Sequence, residues 1–178
     1  DHRHKKGWVY GQPEWNTDAL VGAKRMAIPG CFATAMALSI APAVHSGVVS
    51  GAVCVSGVTG STGSGTDPKA ATHHPERFTN FKAYKTLCHQ HIPELMGFLA
   101  TLGDAPSVHF VPHSGPFDRG IFVTCFIPTS SGADGYAIYA DAYASTPLVR
   151  LRQHTPETRW VRGTGFCDVA VHQTSDHL

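Results

Sequence analysis

Cys31 is the residue in this sequence best placed to act as a nucleophile. It follows Pro29 and Gly30 in the segment IPGCFATAMALSIAP and begins a run of helix-forming residues. In the first turn of a helix, unpaired backbone N–H groups and the positive end of the helix dipole favour a thiolate. A thiolate attacks carbonyl carbons, and the same N–H groups can stabilise the resulting oxyanion. A small core cysteine at a helix start explains the position equally well.

Two histidines one residue apart are candidates for proton transfer. His89 and His91 lie in CHQHIPE, directly before a predicted helix. Beside a thiolate, a histidine can act as general base and then as general acid. Such a pair can also bind a metal ion, although histidines more often cap a helix or pack in a core. His73 and His74 in THHPE leave the same choice open.

Two further segments could bind an anion. The loop GVTGSTGSGT is of the kind whose backbone N–H groups bind phosphate, but it matches neither G-x-G-x-x-G nor the P-loop pattern. A flexible turn is therefore the simpler interpretation of this loop. His113 and Arg119 flank a turn in FVPHSGPFDRGIF, where an arginine can pair with a phosphate or carboxylate. A solvated hairpin end explains that segment as well.

The elements that must position these residues are predicted from apolar spacing and turn residues. In the first half we expect a helix from about Thr17 to Lys24 and a second from Cys31 that ends by Pro42. A Val-rich strand is expected over 47–60, followed by an extended segment over 72–91. The next helix is expected to have Pro93 at its first position and to stop at Gly103.

The second half of the chain is predicted to consist mostly of strands. We expect 107–113 and 119–129 to form a hairpin, 134–145 to be helical, and further strands at 148–151 and 159–173. Strands and helices alternate without a regular βαβ rhythm. The predicted fold class is therefore α+β, with a mixed, largely antiparallel sheet and helices packed on one face.

Composition narrows the possible functions and the compartment. The chain has 178 residues, a net charge of +1 and 15% charged residues. It is expected to form one domain that binds neither nucleic acid nor a membrane. Its five cysteines form no C-x-x-C pair, which favours a reducing, cytoplasmic setting. The chain has neither an initiator Met nor a signal sequence, and we expect it to be a piece of a longer protein.

Six segments resemble, in order, motifs of the N-acetyl-gamma-glutamyl-phosphate reductases of arginine biosynthesis. They are YGQPE, IPGCFATA, GVTGSTGSGTDP, HQHIPE, VPHSGPFDRGI and VRGTGFCDVAV. The resemblance implies that residues 1–178 form the catalytic, dimerisation-type domain of a homo-oligomer, a dimer or tetramer. It further implies the fold of the catalytic domain in glyceraldehyde-3-phosphate and aspartate-semialdehyde dehydrogenases. Residues 1–20 would be a linker remnant from an absent dinucleotide-binding domain.

The same resemblance implies a mechanism. Cys31 would attack the acyl phosphate and release phosphate, NADPH would reduce the thioester, and His91 would be the acid/base, with His89 as second choice. NADP would be bound mainly by the absent domain. The implied substrate-binding residues are Ser61, Gly63, Ser64, Tyr84, His113 and Arg119. The implied cofactor-binding residues are Gly30, Gly165 and Phe166.

Ile28 and Gly165 depart from the family pattern, because the family usually has Asn at both positions.

Three alternative functions remain open. One is a reductase of another acyl phosphate, aspartyl or aminoadipyl. Another is a metal hydrolase built on the four histidines of THHPE and CHQHIPE, although no carboxylate at convincing spacing completes such a site, and no metal is expected. The third is an oligomerisation module without catalytic activity.

Overall fold

The computed structural model describes residues 6–130 and 132–178. The elements of this described part are, in chain order, β1 (Val9–Tyr10), α1 (Pro13–Leu20), β2 (Met26–Ala27), α2 (Cys31–His45), β3 (Val53–Thr59), α3 (His74–Arg77), β4 (Lys82–Ala83), α4 (His91–Leu99), β5 (Val108–Ser114), β6 (Ile121–Phe126), α5 (Gly135–Tyr143), β7 (Val149–Arg152), α6 (Thr158–Val161) and β8 (Cys167–Ala170). None of these helices combines the length and the apolar character needed to cross a membrane.

A mixed four-stranded sheet lies at the centre of the fold, in the order β4-β5-β3-β6. The central strand β3 is parallel to β5 and antiparallel to β6, and β4 is antiparallel to β5. Buried and exposed residues alternate along β3, because α2 and α4 cover one face of the sheet. The α+β prediction is confirmed. Two small parallel sheets, β1-β2 and β7-β8, lie outside this central sheet.

The predicted hairpin between 107–113 and 119–129 is wrong, because β3 lies between these two strands. Val53 and Val55 of β3 are almost fully buried, so β3 belongs at the centre of the sheet. A side chain at Gly57 would lie 2.6 Å from the ring of Phe32 and 2.8 Å from that of Phe110, so glycine lets both rings pack on β3. The β5–β6 connection therefore passes over the carboxyl end of β3.

Helix α2 forms the core and brings Cys31 to its first turn, as predicted. The prediction that it ends by Pro42 is wrong, because the helix continues to His45. Proline has no N–H, so the carbonyl of Leu38, one turn earlier, loses its helical partner. The hydroxyl of Tyr143 donates to that carbonyl over 2.5 Å instead. A partner from α5 thus replaces the missing helix hydrogen bond, and the helix is not interrupted.

Other boundaries differ from the predicted ones for local reasons. Helix α1 starts at Pro13 rather than near Thr17, since proline fits the first turn of a helix. Helix α4 starts at His91, two residues before Pro93. The segment 72–91, predicted to be extended, contains the short helix α3 and the two-residue strand β4. The predicted helix over 134–145 is confirmed as α5.

Candidate active site

A buried carboxylate, Glu94, joins three distant segments around the start of α2. Its Oε1 accepts hydrogen bonds from the backbone N–H of Gly30 over 2.8 Å and from the hydroxyl of Tyr10 over 3.0 Å. The Glu94 side chain is only 2% exposed. Its contacts fix the turn before Cys31 against α4 and β1. Glu94 was not predicted as a site residue, although it lies in the HQHIPE segment and its partner Tyr10 lies in the YGQPE segment.

His91 lies directly against the backbone that carries Cys31. A Cβ added to Gly30 would be 2.2 Å from Nε2 of His91, so the imidazole occupies the space that a side chain would fill. Gly30 is one of the predicted cofactor-binding residues, and the side on which its Cβ would lie is occupied by His91. Glycine is needed here so that the histidine can approach the residue next to the thiol.

His89 occupies a different environment and is held as a neutral ring. It is only 4% exposed, and its ring packs edge-on against those of Phe32, Tyr84 and Phe110. Burial, together with the nearby charges of His91 and Lys85, lowers the pKa of His89 to about 4. Its Nδ1 accepts the backbone N–H of His91 over 3.2 Å. Of the two histidines, His89 is therefore suited to support the turn, whereas His91 lies against Gly30, the residue before Cys31.

The thiol of Cys31 is not the preformed thiolate that its helix position predicted. The side chain is exposed. Nevertheless, the protein around the sulfur removes enough water to raise its pKa above the ordinary thiol value, and the charge of Glu94 adds to this effect. Hydrogen bonds from the backbone N–H groups of Phe32 and Cys31 lower the pKa but do not offset desolvation. The thiol therefore needs a nearby base to become a nucleophile at neutral pH.

Tyr84 lies near the thiol on a third segment, and Arg77 lies near Tyr84. Burial and the charge of Cys31 raise the pKa of the Tyr84 hydroxyl, while the charge of Arg77 lowers it. The Arg77 guanidinium donates through Nη2 to the carbonyl of Thr59 over 3.4 Å. Tyr84 was predicted from the sequence to bind substrate, whereas Arg77 was not predicted. The THHPER segment drew attention only for its histidines.

The first three backbone N–H groups of the Gly-Ser loop are bonded within the protein and do not face a ligand. Gly60, Ser61 and Thr62 donate these groups to carbonyl oxygens of the 117–120 turn, over 2.9 to 3.0 Å. The connection that crosses β3 thus takes up these donors, and the predicted role of Ser61 in substrate binding stays a prediction. Ser64, also predicted to bind substrate, is half-buried at the end of the short helical turn Ser61–Ser64.

His113, predicted to bind substrate, is engaged in the sheet. Its Nδ1 lies 3.3 Å from the carbonyl of Gly57, which can only accept, so Nδ1 carries the proton. The ring stacks on Phe81 with centroids 5.1 Å apart. Both contacts tie the His113 ring to protein groups, and its role in substrate binding stays a prediction.

A cavity of ≈ 900 Å³ extends from Cys31 along α2, between β6 and the residues after 155. It brings Cys31 together with Gly63, Arg119, Gly165 and Phe166. The other predicted site residues are not part of its lining: Gly30, Ser61, Ser64, Tyr84, His89, His91 and His113. Of these residues, Gly30 directly precedes Cys31, His91 begins α4, and His113 lies in β5.

Charged side chains of β7 and β8 hold Phe166 at one end of the cavity. The Cζ of Arg150 lies 4.2 Å from the centroid of the Phe166 ring. Arg150 and Arg152 each donate through Nε to the buried carboxylate of Asp168, over 2.6 Å and 3.0 Å. These contacts hold the β7–β8 pair and keep the ring of Phe166 at the cavity wall.

No group of three or more His, Cys, Asp or Glu side chains within residues 6–130 and 132–178 is arranged to hold a metal ion. The alternative of a histidine-based metal hydrolase therefore finds no ligand set in this part of the chain.

Comparison with known sequences identifies close relatives. The family described as "Semialdehyde dehydrogenase, dimerisation domain" matches residues 31–178. The N-acetyl-gamma-glutamyl-phosphate reductase of Halorhodospira halophila is 42% identical over 170 residues, covering 93% of this chain and 49% of the relative. The enzyme of the same name from Methanocaldococcus jannaschii is 35% identical over 173 residues, covering 95% of this chain and 50% of that protein. The chain thus spans about half the length of the curated relatives it matches.

Solved structures share the fold at much lower identity. The aspartate semialdehyde dehydrogenase II of Vibrio cholerae superposes with a TM-score of 0.72 at 13% identity, covering 99% of this chain and 63% of that one. The aspartate semialdehyde dehydrogenase of Candida albicans, solved with NADP, gives a TM-score of 0.64 at 11% identity, with 99% and 62% coverage. These likenesses support the predicted fold and carry no argument about substrate.

Proposed function

This chain belongs to the semialdehyde dehydrogenase, dimerisation domain family, and we propose that it is the catalytic domain of an N-acetyl-gamma-glutamyl-phosphate reductase. The complete reductase would convert N-acetyl-gamma-glutamyl phosphate to N-acetyl-glutamate semialdehyde in arginine biosynthesis. The observation that carries the proposal is the contact of His91 with Gly30, which puts an imidazole beside the one cysteine in the first turn of a helix.

The first step is acyl transfer to Cys31. The thiol pKa is raised, so His91 takes the thiol proton as the sulfur attacks the carbonyl carbon. The bond between that carbon and the phosphoryl oxygen breaks, phosphate leaves, and a thioester remains on Cys31. Backbone N–H groups of Cys31 and Phe32 already point to the sulfur, so the helix start can also stabilise negative charge that develops next to it.

The second step returns the proton. When bound, NADPH supplies the hydride that reduces the acyl carbon. His91 then donates its proton to the oxygen on that carbon. It takes the proton back as the carbon–sulfur bond breaks, so the aldehyde leaves and the proton returns to the Cys31 sulfur. His89 stays neutral throughout and supports the backbone of His91. This division of labour makes His91 the catalytic residue and His89 a positioning residue.

The chain offers a wall for the reactive ring of the cofactor but no binding unit for its phosphates. Phe166 is 38% exposed on the cavity that contains Cys31. A Cβ at Gly165 would meet nothing closer than the methyl groups of Leu148 at 4.0 Å, so a planar ring can approach there. The sequence contains no G-x-G-x-x-G segment. We therefore propose that a separate dinucleotide-binding domain contributes most of the NADP affinity.

The proposal extends to assembly and location. We propose a homo-oligomer, a dimer or tetramer, because the family is described as a dimerisation domain. Five unpaired cysteines are consistent with a reducing cytoplasm. Light scattering coupled to size-exclusion chromatography would report the oligomeric state directly.

The experiment for this function joins the N-terminal half of the Halorhodospira halophila reductase to this chain. The chimera is assayed in reverse, by NADPH absorbance, with NADP, inorganic phosphate and one of three aldehydes: N-acetyl-glutamate, aspartate or aminoadipate semialdehyde. We expect NADPH formation with the N-acetylated aldehyde and at least tenfold less with the other two. Preference for aspartate or aminoadipate semialdehyde would overturn the substrate assignment, and the Cys31→Ser chimera is the control.

A further inference from the structure

We infer that Arg77 binds the phosphoryl group of the acyl phosphate and stabilises it as it leaves. The inference rests on the proposed function, and it names a residue that the sequence analysis did not assign. It replaces the backbone of the Gly-Ser loop as the principal anion-binding element of the site.

The position of Arg77 is fixed by the sheet. Arg77 ends α3, and its Nη2 donates to the carbonyl of Thr59, the last residue of β3. The same carbonyl accepts the N–H of Gly115 over 2.9 Å, so the point of attachment is rigid. Thr59 lines the cavity that contains Cys31. The guanidinium is thus held at the end of the central strand beside Thr59, while Arg77 itself is not part of the cavity lining.

The charge of Arg77 has no carboxylate counterpart within the described part of the chain. Four arginines there form ion pairs with Asp or Glu, namely Arg150, Arg152, Arg159 and Arg162. Arg25, Arg77 and Arg119 form none among the described residues; of these, Arg25 and Arg119 are exposed and Arg77 is half-buried. A half-buried cation without a counter-ion is costly, and a bound dianion would compensate it.

The charges of Arg77 and of the nucleophile Cys31 both affect the pKa of the Tyr84 hydroxyl. The Tyr84 hydroxyl, whose pKa burial raises, responds to the charge of Cys31 and to that of Arg77 in opposite directions. Cys31 and Arg77 are therefore both close enough to the Tyr84 hydroxyl for their charges to act on it. An acyl phosphate whose carbonyl carbon reaches the sulfur would have its phosphoryl group within reach of this region.

The other predicted anion-binding groups are less suitable. The N–H groups of Gly60, Ser61 and Thr62 are bonded to the 117–120 turn. Nδ1 of His113 is bonded to a carbonyl. Arg119 lines the cavity but is exposed, so water screens its charge. Arg77 is the cation whose charge acts on the Tyr84 hydroxyl, on which the charge of Cys31 also acts, and a guanidinium can bind two phosphoryl oxygens at once.

The experiment compares two acyl donors with the same acyl group on residues 1–178, with acylation of Cys31 followed by mass spectrometry. One donor is N-acetyl-gamma-glutamyl phosphate, and the other is the gamma p-nitrophenyl ester of N-acetyl-glutamate, which has no phosphoryl group. We expect Arg77→Met to slow acylation by the phosphate about 10- to 150-fold, the range for lost hydrogen bonds to a charged group, and to change acylation by the ester less than threefold.

Arg25→Met is the matched control on an exposed, unpaired arginine, and Arg77→Lys should restore part of the rate with the phosphate donor. An equal loss with both donors would overturn the inference, because it would show a structural role. So would a selective loss in Arg119→Met that Arg77→Met does not show. If the wild-type chain accepts neither donor at Cys31, the proposed function fails, and the inference fails with it.

Discussion

Replacing Gly30 with alanine should separate His91 from Cys31 without altering either residue. The added Cβ would lie 2.2 Å from Nε2 of His91, whereas real Cβ atoms essentially never approach another heavy atom closer than 3.0 Å. The backbone of Gly30 has φ −68° and ψ 149°, which alanine adopts without strain. The substitution therefore acts through the imidazole, which must retreat by about 1 Å or push the turn before Cys31 by a similar amount.

A displacement of this size should reduce the rate of acyl transfer strongly. A misplacement of about 1 Å in a catalytic group costs roughly 10²-fold, so we expect acylation of Cys31 by the acyl phosphate to fall about 100-fold. Overpacking should also lower the free energy of unfolding by about 1–3 kcal/mol. Alkylation by iodoacetamide well above the thiol pKa needs no base, and its rate should change less than threefold.

The assay is quenched-flow acylation at pH 7 with detection by mass spectrometry, and thermal unfolding confirms that each variant is folded. Gly51→Ala is the matched control, because its added Cβ would meet only Pro128 at an ordinary 3.4 Å. The double variant Gly30→Ala/His91→Asn should be no slower than His91→Asn alone, since the two changes remove one interaction. Acylation of folded Gly30→Ala within threefold of the wild-type rate would refute the reasoning.

The remaining predictions concern titration and proton transfer. His91→Asn should slow Cys31 acylation at pH 7 by about 10²- to 10⁴-fold, the usual share of a general base, and unchanged kinetics would remove His91 from the mechanism. Because the pKa of His89 is lowered to about 4, the unfolded chain binds an extra proton between that value and about 6.5. The stability that neutral His89 contributes is complete above about pH 6.5 and declines by up to about 3 kcal/mol toward pH 4. Urea unfolding of His89→Asn should show a smaller decline, and that of His109→Asn, at an exposed site, an unchanged one. Since the charge of Glu94 raises the pKa of Cys31, Glu94→Gln should move the pH profile of iodoacetamide alkylation to lower pH, and a shift to higher pH would contradict that assignment.

The spacing of apolar residues and the turn residues in the sequence were enough to predict the helices whose ends depend only on neighbouring residues. The helix at Cys31 follows from a Pro-Gly turn before helix formers, and α5 follows from the spacing of its tyrosines. The continuation of α2 through Pro42 could not be predicted from the sequence. It depends on a hydrogen bond from the hydroxyl of Tyr143, which is distant in the sequence. The position of β3 between β5 and β6 has a similar origin, since neighbours in sequence suggested a hairpin and burial of β3 decided otherwise.

In the candidate active site, too, residues recognisable from local pattern were predicted, and residues that depend on long-range contacts were not. The sequence identified Cys31 and the histidine pair from residue type and spacing. It did not identify Glu94 or Arg77, because the importance of each depends on long-range contacts with Gly30 and Thr59. The expected lowering of the thiol pKa was wrong for a related reason, because the desolvation that outweighs the helix N–H groups comes from residues brought together only by folding.

The central claim is that Cys31 is acylated by an acyl phosphate, and intact-mass and peptide mass spectrometry of residues 1–178 test it most directly. The chain is mixed with N-acetyl-gamma-glutamyl phosphate at pH 7, without cofactor, and digested under acidic conditions that preserve thioesters. The account predicts one N-acetyl-glutamyl adduct per chain, on the peptide that contains Cys31, with release of one phosphate and no adduct in Cys31→Ser. An adduct distributed over Cys54, Cys88 and Cys31 alike, or an equal yield in Cys31→Ser, would contradict it.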